Sequence, residues 1–114
     1  MKYSSVVASL FDDLGHAGIA SGLTTAIHED RASGTRLMFS IAHSGREIHE
    51  CRFLASGCPD VLAACEYTCR AIENQKWPTT VELMADLGVP TEKTSRILVI
   101  EDAQRELRDA ILEK

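Results

Sequence analysis

The strongest constraint on the fold is a change of hydrophobic period completed within three residues. Before it, Leu37, Phe39 and Ile41 alternate with Arg36, Met38, Ser40 and Ala42, and Cys51, Phe53 and Ala55 share one face of a following segment. A period of two marks half-buried strands. From Pro59 to Asn74 the spacing becomes three and four, with Leu62, Cys65, Cys69 and Ile72 on one helical stripe. Between the two lies Gly57-Cys58-Pro59. Gly57 is expected to supply an unusual backbone angle, and Pro59 suits the first helical position, so Cys58 falls at the helix N-cap. A thiol there faces unpaired backbone N–H groups and the positive end of the helix dipole, both of which favour the thiolate. The alternative role for Cys58 is that of a small apolar filler at a tight corner.

The rest of the chain fits around this corner. Val6, Val7, Leu10, Phe11 and Leu14 predict an amphipathic helix over Tyr3 to Leu14, capped by Ser4 or Ser5 and followed by a Gly-rich loop from Gly15 to Gly22. The alternating region opens at Leu23, with a short strand from Thr24 to His28, a polar loop from Glu29 to Gly34, and a hairpin turning at His43-Ser44-Gly45-Arg46. Thr79-Thr80-Val81-Glu82 reads as a capping box opening a short helix that ends at Gly88. Thr91 is expected to cap a last helix whose Ile97, Ile100, Ala103, Leu107 and Ile111 share a face, with Glu101 and Arg105 as an i,i+4 pair. Segregated strands and helices predict a single α+β domain over residues 1–114, a three-stranded antiparallel sheet with helices packed on one side.

The chain has 114 residues and a net charge of -5, and no stretch concentrates Lys and Arg as phosphate binding requires, which argues against nucleic acid. No apolar run reaches a membrane span, and Met1-Lys2-Tyr3-Ser4-Ser5 lacks the apolar core of a secretory signal, so a cytoplasmic location is expected. Cysteines in that compartment are buried thiols, metal ligands or redox groups more often than disulfides.

The four cysteines stand at positions 51, 58, 65 and 69, and none forms a Cys-x-x-Cys pair. Cys58, Cys65 and Cys69 fall within about 40° of one helical face, so a thiolate cluster can be drawn from them. Cys65 and Cys69 also share the stripe of Leu62 and Ile72, which assigns them to the core as readily as to a site. Cys51 alternates with Phe53 and reads as core. The histidines, His16, His28, His43 and His49, lack the spacing of a helical metal pair; His43 reads as a solvated turn residue, and His28 with Glu29 and Asp30 as a charged loop beside the Cys58 corner, with nitrogen and oxygen ligation as the less favoured alternative. Nothing supplies a Ser-His-Asp arrangement, and no enzymatic activity is expected.

Arg52-Phe53-Leu54-Ala55-Ser56-Gly57-Cys58, followed by Ala63-Ala64-Cys65, resembles the strand and central-cysteine helix of the iron–sulfur cluster scaffold family, the IscU type and the N-terminal domain of NifU. Tyr3-Ser4, Val7, Phe11 and Gly18 resemble its first helix and loop, and Glu101-Asp102-Ala103 the segment after its third cysteine. The resemblance implies the SufE/NifU-type fold over nearly the whole chain. It also implies a [2Fe–2S] cluster, iron or zinc held by three cysteines with an aspartate and a histidine, and sulfur taken from a cysteine desulfurase. Only the central cysteine is matched, by Cys58. Ser33 and Thr35 stand at the first cysteine and the aspartate, and Ser95 and Arg96 at the histidine and the third cysteine.

Neutral hydroxyls bind iron and zinc poorly beside thiolates, and Arg96 would set a permanent positive charge where the metal belongs. A guanidinium there would stabilise a Cys58 thiolate or persulfide, with Asp60 opposing by repulsion unless Arg96 pairs with it. The leading expectation is therefore a divergent scaffold-like protein of iron–sulfur assembly. In it Cys58 ligates metal or accepts sulfur, with Cys65 as a second candidate ligand. The alternatives are a metal-free adaptor of a desulfurase or scaffold, and a persulfide carrier. A homo-oligomer sharing its ligands between chains, and a protein with no cofactor at all, both stay open at this point.

Overall fold

The structure is a computed structural model that describes residues 3–22 and 24–112; Leu23, Met1 and Lys2, which figure in the expectations above, lie outside the described residues. The chain runs α1 (Ser5–Phe11), β1 (Thr24–Asp30), β2 (Thr35–Ser44), β3 (Glu47–Ser56), α2 (Pro59–Glu73), α3 (Thr80–Leu87), a 3-10 turn (Thr91–Lys93) and α4 (Thr94–Leu112). The strands form one antiparallel sheet in the order β1-β2-β3, with Ala26 opposite Phe39 and Phe39 opposite Phe53. Ala26, Leu37, Phe39, Ile41, Cys51 and Phe53 are all buried on its inner face. There α2 packs under β3 and α4 under β1 and β2, while α1 rests on α2 and α3 on α4. The α+β class and the one-sided packing are those expected from the change of period.

Several local expectations need correction. Helix α1 is shorter than Tyr3 to Leu14: Ser4 caps it, Val7 and Leu10 are buried, and Val6 and Phe11 are exposed. The hairpin is tighter than a four-residue turn, because β2 continues to Ser44 and only Gly45, at φ 58°, and Arg46 separate the strands. A register shift at Ala42/His43 accommodates this. His43 is more than a solvated residue, since its ring nitrogens bridge the Gly45 carbonyl (2.8 Å) and the Thr24 hydroxyl (3.1 Å). The last helix begins at Thr94 rather than beside Thr91, the intervening residues being taken by the 3-10 turn. The capping box is present, with Thr79 Oγ1 accepting from the Glu82 N–H (3.2 Å) and Glu82 Oε1 from the Thr79 N–H (2.9 Å). Glu101 spends its carboxylate on Thr80 (2.7 Å to the N–H) and reaches Arg105 only at 3.9 Å.

The Gly-rich segment is a strap across the sheet. The Ala20 N–H donates to the buried Ser40 hydroxyl (2.8 Å), and a Cβ on Gly22 would meet the Ile41 carbonyl oxygen at 2.1 Å, so only glycine lets the strap lie this close. Its other end is clamped electrostatically. His16 Nδ1 lies 2.6 Å from Glu66 Oε2 and Nε2 lies 2.8 Å from Glu73 Oε1, while Glu66 also accepts from the His16 N–H (2.9 Å) and from Arg70 Nε (2.7 Å). Glu66 is fully buried. Burial alone would raise its pKa, but the bonds from His16 and Arg70 outweigh this and leave it below the ordinary carboxylate value.

Glu66→Gln should destabilise the fold by about 3 kcal/mol in urea unfolding at neutral pH, since His16 and Arg70 lose their buried partner. Because Glu66 titrates lower in the folded chain, its contribution is present above about pH 4.3, the unfolded carboxylate value, and is lost as pH falls through the depressed folded value. Wild type and Glu66→Gln should therefore converge in stability in acid; a gap that persists there would contradict the clamp.

Candidate functional site

Cys58 is the N-cap of α2, at φ -80° and ψ 166°, with Pro59 in the first turn. The unusual backbone angle expected of Gly57 is not a positive φ, which among the glycines is found at Gly18, Gly34, Gly45 and Gly88. A Cβ there would sit 3.4 Å from the Val61 side chain and 3.6 Å from Thr35 Oγ1, in ordinary van der Waals contact. The corner is held from below by α2, whose Val61, Ala63, Ala64, Cys65, Cys69 and Ile72 are all buried. Cys58 itself is only partly covered, the one cysteine of the four that is not buried.

Arg96, in the first turn of α4, places Nη1 3.4 Å from Cys58 Sγ. The pairing of Arg96 with Asp60 is not what forms. Asp60, almost fully buried, is bonded at 2.5 Å by Lys93 Nζ from the 3-10 turn, and the Lys93 ammonium lies over the Tyr3 ring at 4.9 Å. Asp60 therefore leaves Arg96 free for the sulfur. Burial acts to raise the Cys58 pKa; the Val61 N–H, the Arg96 guanidinium, the Lys93 ammonium and the Asp60 N–H together outweigh it and hold the thiol below its ordinary value. In the same way the Asp60 carboxylate holds Lys93 above the usual ammonium value.

The three hydroxyls at the other ligand positions are turned to one another and to Asp30. Ser33 Oγ donates to Asp30 Oδ2 (2.7 Å) and lies 2.8 Å from Thr35 Oγ1, while Ser95 Oγ donates to Asp30 Oδ2 at 3.1 Å. The Ser33 bond lowers the Asp30 pKa, burial opposes it, and Ser95, the Ala32 N–H and Arg96 lower it further, so the carboxyl sits below its ordinary value. His28, Glu29 and Asp30 form the end of β1, which runs two residues past the expected strand end rather than opening a loop, and only Asp30 joins the site: His28 bonds Glu106 (2.8 Å) and Glu29 bonds Arg31 (3.2 Å).

Cys65 does not turn toward Cys58. It is completely buried, and desolvation with the nearby Cys51 and Glu66 raises its thiol pKa strongly, which keeps it neutral. Cys69 is likewise buried and raised, its sulfur 3.4 Å from that of Cys51. These three thiols form part of the core under β3, consistent with the stripe shared with Ile72.

Sequence reasoning misses Lys93, and reaches Asp30 only as a member of the charged segment with His28 and Glu29. The one local hint for Lys93 is that it precedes Arg96 by three residues, one turn away along the start of α4.

A cluster or zinc ion does not fit this donor set. Cys58 is the one thiolate in reach, the Ser33 and Ser95 hydroxyls are engaged with Asp30 and that of Thr35 with Ser33, and a guanidinium stands 3.4 Å from the sulfur that would bind metal. Among the described residues no three His, Cys, Asp or Glu side chains are grouped to hold a metal ion.

No protein-family model matches the chain, and no curated protein sequence matches it. Solved structures do. A crystallised hypothetical protein aligns with TM-score 0.56 at 14% identity, over 93% of this chain and 96% of its own. A NifU-like N-terminal protein from Brucella abortus aligns with TM-score 0.55 at 11% identity, over 96% and 83%. A putative iron–sulfur cluster assembly scaffold protein for the SUF system of Fervidobacterium islandicum aligns with TM-score 0.55 at 16% identity, over 96% and 88%. At these identities the likeness establishes the fold: this chain has the three-stranded sheet and helices of NifU-type scaffolds. No described helix is long and apolar enough to cross a membrane.

In native protein, iodoacetamide should modify one cysteine quickly, Cys58, with Cys51, Cys65 and Cys69 reacting only on unfolding. The pH midpoint of that reaction should lie below that of an ordinary thiol and move up in Arg96→Gln, slowing the reaction several-fold at neutral pH. Equal profiles for the two proteins would rule out thiolate stabilisation by Arg96.

Proposed function

We propose that this chain serves iron–sulfur cluster assembly as a scaffold-fold protein that accepts sulfur on Cys58 and holds it without metal. The observation that carries this reading is the Arg96 guanidinium 3.4 Å from Cys58 Sγ, in a fold shared with a NifU-like protein and a SUF-system scaffold. A cysteine desulfurase is the donor that this fold and this chemistry favour.

The Cys58 thiolate attacks the outer sulfur of a donor persulfide. A new S–S bond forms on Cys58 as the donor's S–S bond breaks, the donor cysteine leaves as a thiolate, and the outer sulfur keeps its proton. Charge is conserved and no electrons are exchanged with a third party. Once loaded, the persulfide deprotonates readily, and Arg96 and Lys93 stabilise that anion as they stabilise the thiolate. Asp60 acts through Lys93, anchoring the ammonium at the pocket wall. Asp30, by engaging Ser33 and Ser95, keeps the far wall polar and closed to additional soft ligands.

Incubation with a cysteine desulfurase and L-cysteine, followed by mass spectrometry of native protein, should add one sulfur atom to Cys58 and none to Cys58→Ser. Arg96→Gln should load several-fold less at equal time. A desulfurase complex that forms without sulfur on Cys58 would instead establish the adaptor role. Stoichiometric iron and sulfide after anaerobic reconstitution would establish Cys58 as a cluster ligand.

A further inference from the structure

The two edges of the sheet are treated differently. On β3 most of the outward-facing main-chain groups from Ile48 to Phe53 are capped: the Ile48 N–H and C=O are both bonded by the Gln75 amide (2.9 Å each), the Cys51 N–H donates to Glu73 (2.9 Å), and Phe53 bonds His16 O (3.0 Å) and the Gly18 N–H (2.8 Å). Gln75 reaches Ile48 from φ 64°, a backbone region that non-glycine residues seldom adopt. That is the pattern of an edge closed against further strands.

On β1 no such capping exists. Because Phe53 turns its main-chain groups outward, it forms a non-hydrogen-bonded pair with Phe39, and Phe39 therefore bonds Ala26 on its other side. Alternation then leaves the N–H and C=O of Thr25, Ile27 and Glu29 pointing away from the sheet. Among the described residues these groups have no hydrogen-bond partner. The strand is Thr-Thr-Ala-Ile-His-Glu-Asp, in unbroken register over its whole length and free of proline, lysine and bulges.

We infer that the β1 edge is a docking site for an extended segment of a partner protein in which apolar and basic side chains alternate, added as a fourth strand. On the solvent face its apolar side chains would extend the cross-strand row Ile27, Met38 and Leu54, in which Ile27 is 54% exposed. On the inner side its basic side chains would meet a shallow groove beside α4 that sets Asp102, Glu106 and Asp109 against a single guanidinium, Arg105, with His28 at its rim. That balance favours basic residues and disfavours a second copy of this chain, which would bring α4 acids against α4 acids. The far end of β1 is Asp30, so a docked segment lies along a strand that leads to the Cys58 pocket. The inference does not depend on sulfur transfer.

The test uses the full chain and an acetylated peptide of alternating valine and lysine, with alternating valine and glutamate as control, read by titration and amide hydrogen exchange. The valine–lysine peptide should bind and protect the amides of Thr25, Ile27 and Glu29, more weakly as salt rises. Ile27→Pro removes one outward N–H at a position where edge strands tolerate proline, and should weaken binding about tenfold. Asp109→Lys, on α4 and outside the strand, should weaken the same peptide without touching the edge. Failure of the peptide to bind, equal binding of the glutamate peptide, protection elsewhere, or self-association of the chain through β1 would each overturn the inference.

Discussion

Everything at the site depends on the burial of α2. Its apolar residues are enclosed by β3 on one side and by α1 and α4 on others, and its fully buried carboxylate, Glu66, is held by His16 and Arg70. A helix fixed on so many sides has a fixed N-terminus. Cys58 therefore presents its sulfur at a defined point, where the first turn of α4 sets Arg96 and the preceding turn sets Lys93. The thiol is partly solvated while its three companions are sealed in the core, so reactivity is confined to one sulfur by packing alone.

The chemistry of the pocket follows from replacing a coordination sphere by fixed charges. A metal ion stabilises a thiolate through a bond that needs further soft ligands, and the hydroxyls of Ser33, Thr35 and Ser95 are poor substitutes for them. A guanidinium stabilises the same anion through hydrogen bonding and charge and needs no other ligand. Lys93 adds a second cation, neutralised in part by Asp60, and Asp30 accepts the hydroxyl protons of Ser33 and Ser95. The result suits a singly charged sulfur anion better than a cluster.

Much of this was legible in the sequence where the signal is local. The period change placed the hairpin and α2, Pro59 placed Cys58 at the cap, and Thr79 with Glu82 gave the capping box. Local signals failed where tertiary contacts intervene: α1 loses its ends because only Val7 and Leu10 find the core, and α4 starts late because Thr91 to Lys93 form a 3-10 turn. The resemblance put Arg96 at a ligand position but left the partner of Asp60 open, because a bond between Lys93 and a residue 33 positions away leaves no trace in spacing. Asp30 gathers Ser33 from three positions away and Ser95 from 65, and was legible only as part of a charged loop.

Zinc binding at equilibrium, measured on purified protein by competition with a chromogenic chelator, tests the central claim most directly. The account predicts no stoichiometric zinc in the wild-type chain, and uptake restored in a variant carrying Ser33→Cys, Thr35→Asp, Ser95→His and Arg96→Cys. Stoichiometric zinc on the wild type, displaced by alkylation of Cys58, would contradict it.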